Sequence, residues 1–346
     1  MSAKVLIIGA GPAGLAVAAC LKQRQVPFQL IDRRGIPGGA YNILREGGQL
    51  LSPARYNTLP IWSLGSSPEY VTFPEYRSYL HEYSARLGLS VDPLEVSHIE
   101  RGDRGWRVDF LRQGSAEYRA VVVATGMVDS PRLPEIAGRP VRSSTVMHSR
   151  DWPGPEQFRG QRVLIIGGGM SGVEVAEECV RCGVHVTISS RHRIRLVPRR
   201  ILGRDIHDWV HLVSHRIPRW LVRSHCERLP AFPAFDRGFR TFRKEQSVVV
   251  RPAVRHFHDR TATLEDGSHC EFDVLIFATG YEFATPFLDA TFPRRIQGQP
   301  TLTNYQNPAW PHLYFIGFPC ARIFPSEFLR GIALDAPILA SMIDSM

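Results

Sequence analysis

The chain has 346 residues, 44% of them hydrophobic and 22% charged, with a net charge of +9. That is ordinary globular composition, long enough for two domains with real cores, and no apolar run approaches the ~18 residues of a membrane span. The chain enters strand-type sequence at Lys4 with no basic-then-apolar leader, so a cytoplasmic location is expected.

The first element expected is a strand at Lys4–Ile8. It runs into Gly9-Ala10-Gly11-Pro12-Ala13-Gly14 and a helix whose Leu15, Ala18, Ala19 and Leu21 suit burial on a sheet. A second strand, Phe28–Ile31, closes on Asp32 and Arg33, where a Gly-x-Gly-x-x-Gly fingerprint requires a carboxylate to accept from a ribose hydroxyl. An unphosphorylated ribose, such as that of FAD, fits that position.

The helix after Pro74 carries Tyr76, Tyr79, Leu80, Tyr83 and Leu87 at helical spacing, a stripe read as core packing. Alternating strands turn at 102–105, and the unit ends in an apolar strand closed by Ala124-Thr125-Gly126. A small-residue turn there lets backbone approach a cofactor closely.

The plan then repeats. Arg162–Ile166 leads into Gly167-Gly168-Gly169-Met170-Ser171-Gly172, a helix from about Ser171 to Cys182, and a strand at His185–Ser189. Ser190 and Arg191 follow in place of an acid, and a hydroxyl with a cation there suits a 2′-phosphate, so NADPH is favoured over NADH. A turn at Asp266-Gly267-Ser268 precedes a second apolar strand closed by Ala278-Thr279-Gly280. The units read as one module used twice. The expected fold is α/β, two Rossmann-like three-layer dinucleotide-binding domains: 1–152 with 274–346 for FAD, and 153–273, inserted into it, for NADPH. A last strand, Leu313–Ile316 with Gly317, precedes a helix from about Ser326 to Ile343, whose N-terminus would favour negative charge on a flavin ring.

Other motifs are weaker. The six cysteines are read as free thiols, with Cys179 and Cys182 inside a helix rather than at the helix start that activates a redox pair. Gly169-Met170-Ser171-Gly172-Val173 lacks the last glycine of a nucleophile elbow. His256 and His258 share a strand face with no third metal ligand, and no metal is expected. Basic residues concentrate between Arg191 and Arg251 among Trp209, Trp220, Phe232 and Phe239. That basic stretch is either a solvated face or a patch for a membrane surface or a partner, and segment 203–247 stays open between a lid, a dimer arm and a basic face; no nucleic-acid partner is expected, and a homodimer stays open.

The two fingerprints, Gly38-Gly39-Ala40-Tyr41, both Ala-Thr-Gly turns, the stretch from Leu51-Ser52-Pro53 to Leu59-Pro60 and Met147-His148-Ser149-Arg150-Asp151-Trp152 together resemble the flavin-containing monooxygenases, most closely the short bacterial members, which are similar to YUCCA-type and Baeyer–Villiger enzymes. Arg142 and Ser144 stand where the family's identifying motif has Phe and Gly, and Tyr41 where Trp is usual. The resemblance implies FAD and NADPH as cofactors, O2 and a small molecule as substrates, and oxygen transfer through a flavin C4a-hydroperoxide to an amine, sulfide or ketone. Tyr41, Ser52 and Asn57, with His148, are the candidates near the flavin ring, and Gly39, Leu51 and Gly317 join the residues expected to bind FAD. The competing readings are an NADPH-dependent reductase serving a quinone, ferredoxin or dithiol acceptor, and a flavin-binding protein without catalysis.

Overall fold

The computed structural model describes residues 4–65, 68–103, 105–140, 145–214, 232–283, 285–294 and 298–346. The chain divides into two compact units, residues 1–129, 207–229 and 282–346, and residues 130–206 and 230–281.

In the first unit, Phe28–Ile31, Val5–Ile8, Ala120–Val123 and Leu313–Phe315 lie side by side in that order, all parallel. A parallel sheet covered on both faces needs continuous apolar strands, and Val5, Leu6 and Ile7, like Val121 to Val123, are fully buried. The crossover helix Pro12–Gln23 packs on the C-terminal helix Leu329–Asp344. A three-stranded antiparallel sheet, Val96–Gly102, Gly105–Phe110 and Gly114–Tyr118, contributes the buried Trp106.

The second unit repeats the arrangement. Its parallel sheet runs Val248–Arg251, His185–Ser189, Arg162–Ile166, Val274–Phe277 and Thr145–His148. Beside it, His269–Glu271, Thr261–Leu264, Val254–Asp259 and Ala137–Pro140 form a smaller sheet. In both units the strand before the glycine turn is flanked by the next strand of the repeat and by the strand that ends in Ala-Thr-Gly. His256 and His258 are exposed on the smaller sheet, as the alternation implied.

Three details differ from the sequence reading. The inserted unit is wider than 153–273, because Thr145–His148 and Val274–Phe277 complete its sheet by pairing with each other and, for the latter, with Arg162–Ile166. The C-terminal helix starts late: Phe324–Glu327 is a 3-10 turn, and the extended backbone of Phe328 separates it from Leu329–Asp344. Cys20, Cys179, Cys182 and Cys270 are thiols, but Cys320 is disulfide-bonded, so the all-thiol reading is corrected. Arg142, Ser144, Trp220 and most of the middle of 203–247 lie outside the described residues.

Candidate dinucleotide sites

Each glycine turn is closed by the same two backbone approaches. A Cβ on Gly14 would stand 1.8 Å from the Gly9 carbonyl oxygen, and one on Gly172 would stand 2.0 Å from that of Gly167. Gly9 and Gly167 have φ of 104° and 116°, and a Cβ on either would meet the carbonyl of Ala124 or Ala278 at 2.6 and 2.3 Å. These four glycines are required by the turn itself. Ala124 and Ala278 are therefore props behind the turns.

Gly11 and Gly169 behave differently. A Cβ on Gly11 would find only the Gly39 Cα, at 3.8 Å, and one on Gly169 would find nothing within 4 Å. Both residues are the N-caps of their helices, Pro12–Gln23 and Met170–Arg181, and neither helix has a side-chain cap. Helix Phe73–Arg86 shows the contrast, since Thr72 and Glu75 close its first turn with a capping box. Uncapped helix starts beside open space at Gly11 and Gly169 have the chemistry a pyrophosphate needs, so the residues present fit a dinucleotide in each unit.

Around the first turn, Asp32 accepts from the Ala10 amide at 3.0 Å and from the Arg34 amide at 2.9 Å, which fixes its carboxylate at the end of its strand. Arg33 and Arg34 both pair with Asp129, so Arg33 is committed to a neighbouring acid. Gly38 donates to the Ala10 carbonyl, and Gly39, at φ 55°, lies over Gly11, where a Cβ would be 2.7 Å from the Gly11 Cα. Gly317, at φ 78°, abuts Ala13 and Ile332. The Thr125 hydroxyl is buried without a partner, and Gly126 faces open space. An orphaned hydroxyl beside the turn is a further sign of a ligand position.

The second Ala-Thr-Gly is used otherwise. The Thr279 hydroxyl donates to the Arg132 carbonyl, while the Arg132 guanidinium donates to the Thr279 carbonyl at 3.0 and 3.2 Å. The Gly280 carbonyl accepts from the Arg132 amide at 2.9 Å and His148 Nε2 at 3.1 Å. His148 also accepts from the Arg150 amide through Nδ1, and burial lowers its pKa below 6.5, so the ring is neutral. His148 and Thr279 thus brace one turn of the second unit.

Ser190 donates to the His192 carbonyl at 2.7 Å, leaving its oxygen able to accept, and the Arg191 side chain is exposed beside it. Gly168 admits the Ser190 hydroxyl, since a Cβ there would stand 2.7 Å from it. Met170 and Ser171 open the helix after the turn, half-buried.

The ring candidates share one assembly. Tyr41 packs edge-on against Tyr76 and Phe73, with centroids at 4.8 and 6.0 Å, and burial holds its hydroxyl protonated far above the usual range. Ser52 Oγ donates to Asn57 Oδ1 at 2.6 Å, and Asn57 Nδ2 donates to the Ser52 and Pro53 carbonyls at 2.9 and 3.2 Å. Asn57 has no amide hydrogen left, which makes it the lock of the loop that carries Leu51 and Ser52. The tyrosine stripe is core, as its spacing implied, and it does more than fill space. The hydroxyls of Tyr76, Tyr79 and Tyr83 donate to the carbonyls of Asn57, Trp62 and Pro60 at 2.9, 2.9 and 2.7 Å, fastening the loop to the helix. Sequence reading missed this staple, because only the apolar half of a tyrosine shows in a periodicity.

Comparison with known proteins agrees with the geometry. A family model described as pyridine nucleotide-disulphide oxidoreductase matches residues 6–205, and one described as flavin-binding monooxygenase-like matches residues 244–313. The indole-3-pyruvate monooxygenase YUCCA8 of Oryza sativa subsp. indica is 28% identical over 329 residues, covering 81% of this chain and 76% of the relative. Among solved structures, a flavin-containing monooxygenase from Stenotrophomonas maltophilia superposes with a TM-score of 0.81 at 23% identity, covering 99% of this chain and 98% of that one. A bacillithiol disulfide reductase from Staphylococcus aureus gives 0.75 at 18% identity, covering 100% and 99%. Matched over more than half its length, the chain belongs to the pyridine nucleotide-disulphide oxidoreductase family and is an oxidoreductase with FAD and NADPH as its cofactors.

Proposed function

We propose that this chain is an NADPH-dependent FAD monooxygenase that delivers one oxygen atom of O2 to a small soft nucleophile, an amine or sulfide, or to a ketone. The observation that carries the reading is the pair of equivalent, uncapped glycine turns, one in each unit, in a chain whose relatives are flavin monooxygenases. When bound, FAD takes hydride from NADPH and supplies the oxygen chemistry. The side chains bind, orient and keep water out.

Gly11 opens the first cradle, Asp32 is the ribose acceptor, and Gly39, Thr125, Gly126 and Gly317 surround the same turn. Tyr41 keeps its proton and serves as a fixed donor and wall. Ser52 gives its proton to Asn57, so it turns an acceptor lone pair to the ligand. The tyrosine staple holds Leu51 and Ser52 in place without a flexible loop between them and the core. In the second unit Gly169 opens the cradle, Met170 and Ser171 start the helix behind it, and Ser190 with Arg191 takes the 2′-phosphate. The start of the C-terminal helix lies beside Gly317 through Ile332, which supports an orientation of its free amides toward negative charge on the ring.

The test is a stoichiometry. With FAD and NADPH supplied, oxygenated product should form from an amine, sulfide or ketone panel in proportion to NADPH consumed. NADPH oxidation that instead tracks an added quinone or ferredoxin, with no oxygenated product, would establish the reductase reading. The Cys-x-x-Cys pair is a poor relay, since Cys179 is a buried thiol and Cys182 follows it at a helix end; the disulfide at Cys320 keeps a dithiol acceptor among the outcomes of this test. We place the activity in the cytoplasm, where NADPH is available; among the described residues no helix is long and apolar enough to cross a membrane.

A further inference from the structure

The C-terminal helix carries two arginine neighbours with opposite fates. Arg322, just before it, donates from Nε to Asp335 Oδ1 at 2.7 Å, and Tyr305 donates to the same oxygen at 3.0 Å. That cation is compensated. Arg330, in the helix's first turn, is half-buried, its Nε is sealed from solvent, and that nitrogen has no hydrogen-bond partner. Its guanidinium lies over the Phe328 ring, 5.0 Å from the centroid, a contact worth little against the loss of hydration. Burial pulls its pKa down, with Tyr56 and Glu327 working the other way.

Among the described residues, Tyr56 and Glu327 act electrostatically on Arg330. Glu327, in the preceding 3-10 turn, is pushed up to about 7 by burial against the pull of Arg330, so near neutrality it is only partly charged. Tyr56, on the Ala54–Tyr56 turn, acts on the guanidinium as well, but its hydroxyl donates to Asp208 Oδ1 at 2.6 Å, and the charge of Asp208 is matched by Arg55. The His211 ring lies 5.0 Å from that of Tyr56. Among the described residues, this withdrawn guanidinium has only a half-neutralised acid to balance it.

Its place in the fold says which anion. Ile332, two residues on, stands 3.6 Å from where a Gly317 Cβ would be, against the first glycine turn, and Tyr56 follows Ser52 in the loop stapled by Asn57. We infer that Arg330, flanked by Glu327 and Tyr56, is the receptor for a carboxylate on the organic substrate, so that the molecules oxygenated here are carboxylic acids. Oxygenation of the bound acid rests on the monooxygenase function proposed above; the carboxylate receptor does not. A planar fork of N–H donors pairs with a carboxylate through two parallel hydrogen bonds, and Glu327 holds its proton while the ligand is bound. Binding therefore takes up a proton from solvent as pH rises through the range where free Glu327 ionises.

The FAD-loaded protein is titrated with phenylacetate, 3-phenylpropionate and 4-phenylbutyrate and with their amides, at about pH 6 and about pH 8, following flavin absorbance and heat. At least one acid should bind about 10- to 100-fold tighter than its amide at the lower pH, and weaken at the higher. Arg330→Met should erase the preference and Arg330→Lys should keep part of it. Glu327→Gln should keep the preference and lose its pH dependence. Equal affinity for acid and amide, no binding of any acid up to about 10 mM, or a preference that survives Arg330→Met would overturn the receptor. Should Arg330→Met fail to retain FAD, the wild-type comparison and Arg330→Lys still decide. If acids bind as expected but NADPH oxidation never yields an oxygenated product, the monooxygenase reading fails and the receptor stands.

Discussion

Gly11→Ala and Gly14→Ala separate a glycine that serves the ligand from one that serves the fold. At Gly14 the new methyl would stand 1.8 Å from the Gly9 carbonyl oxygen, which no rotamer relieves because both partners are backbone. Overpacking of that kind costs about 1–3 kcal/mol or more, and the apoprotein should melt earlier. At Gly11 the same methyl would meet only the Gly39 Cα at 3.8 Å, so the fold loses at most the roughly 1 kcal/mol by which glycine surpasses alanine as an N-cap. It does fill the space before the free amides. Displacing one charge-assisted contact of about 1.5–3 kcal/mol weakens FAD by roughly 10- to 100-fold. Thermal melts of the apoproteins and flavin-fluorescence titrations measure the two quantities separately. Wild-type FAD affinity in Gly11→Ala would show that the pyrophosphate lies elsewhere and would refute the reasoning. The second unit supplies a replicate: Gly172→Ala should damage folding and Gly169→Ala should raise the KM for NADPH.

Arg191→Ala should weaken NADPH by about 1–3 kcal/mol and leave NADH nearly unchanged; equal weakening in steady-state KM would remove Arg191 from the 2′-phosphate. Tyr79→Phe leaves the Leu59 amide and the Trp62 carbonyl without the hydroxyl that serves both at 2.9 Å, and a urea midpoint should register a loss of about 1–3 kcal/mol. His148 has a folded pKa below its ordinary 6.5, so it contributes stability fully above that value and loses it as pH falls through the lowered one. The melting temperature of wild type should drop across that window more than that of His148→Gln, and parallel pH profiles would contradict the neutral brace.

Most of the frame was legible because it depends on local pattern. Val5–Ile8 and 163–166 are unbroken apolar runs before glycines whose spacing no other turn requires, and Asp32 and Ser190 stand at the ends of the strands that follow. The domain edges were not legible, since Thr145–His148 and Val274–Phe277 join their sheet through partners over a hundred residues away and read alike in either unit. Asn57 and His148 were visible as polar residues in suggestive places. Only the fold reveals that His148 spends both ring nitrogens on backbone and that Asn57 spends both amide hydrogens there. Arg330 gave no signal at all, because a basic residue in a helix's first turn looks like any solvated one until its neighbours are known.

Thr125 and Thr279 end sibling strands with the same three letters, yet one hydroxyl has no partner within the protein and the other is spoken for by Arg132. A duplicated gene hands both daughters identical vocabulary, and divergence then consists in deciding which copy stays available. Transplanting function between such halves by motif alone would go astray: grafting a ligand contact onto the Thr279 corner would first have to unseat a strut, whereas the Thr125 corner could change its visitor at no architectural cost.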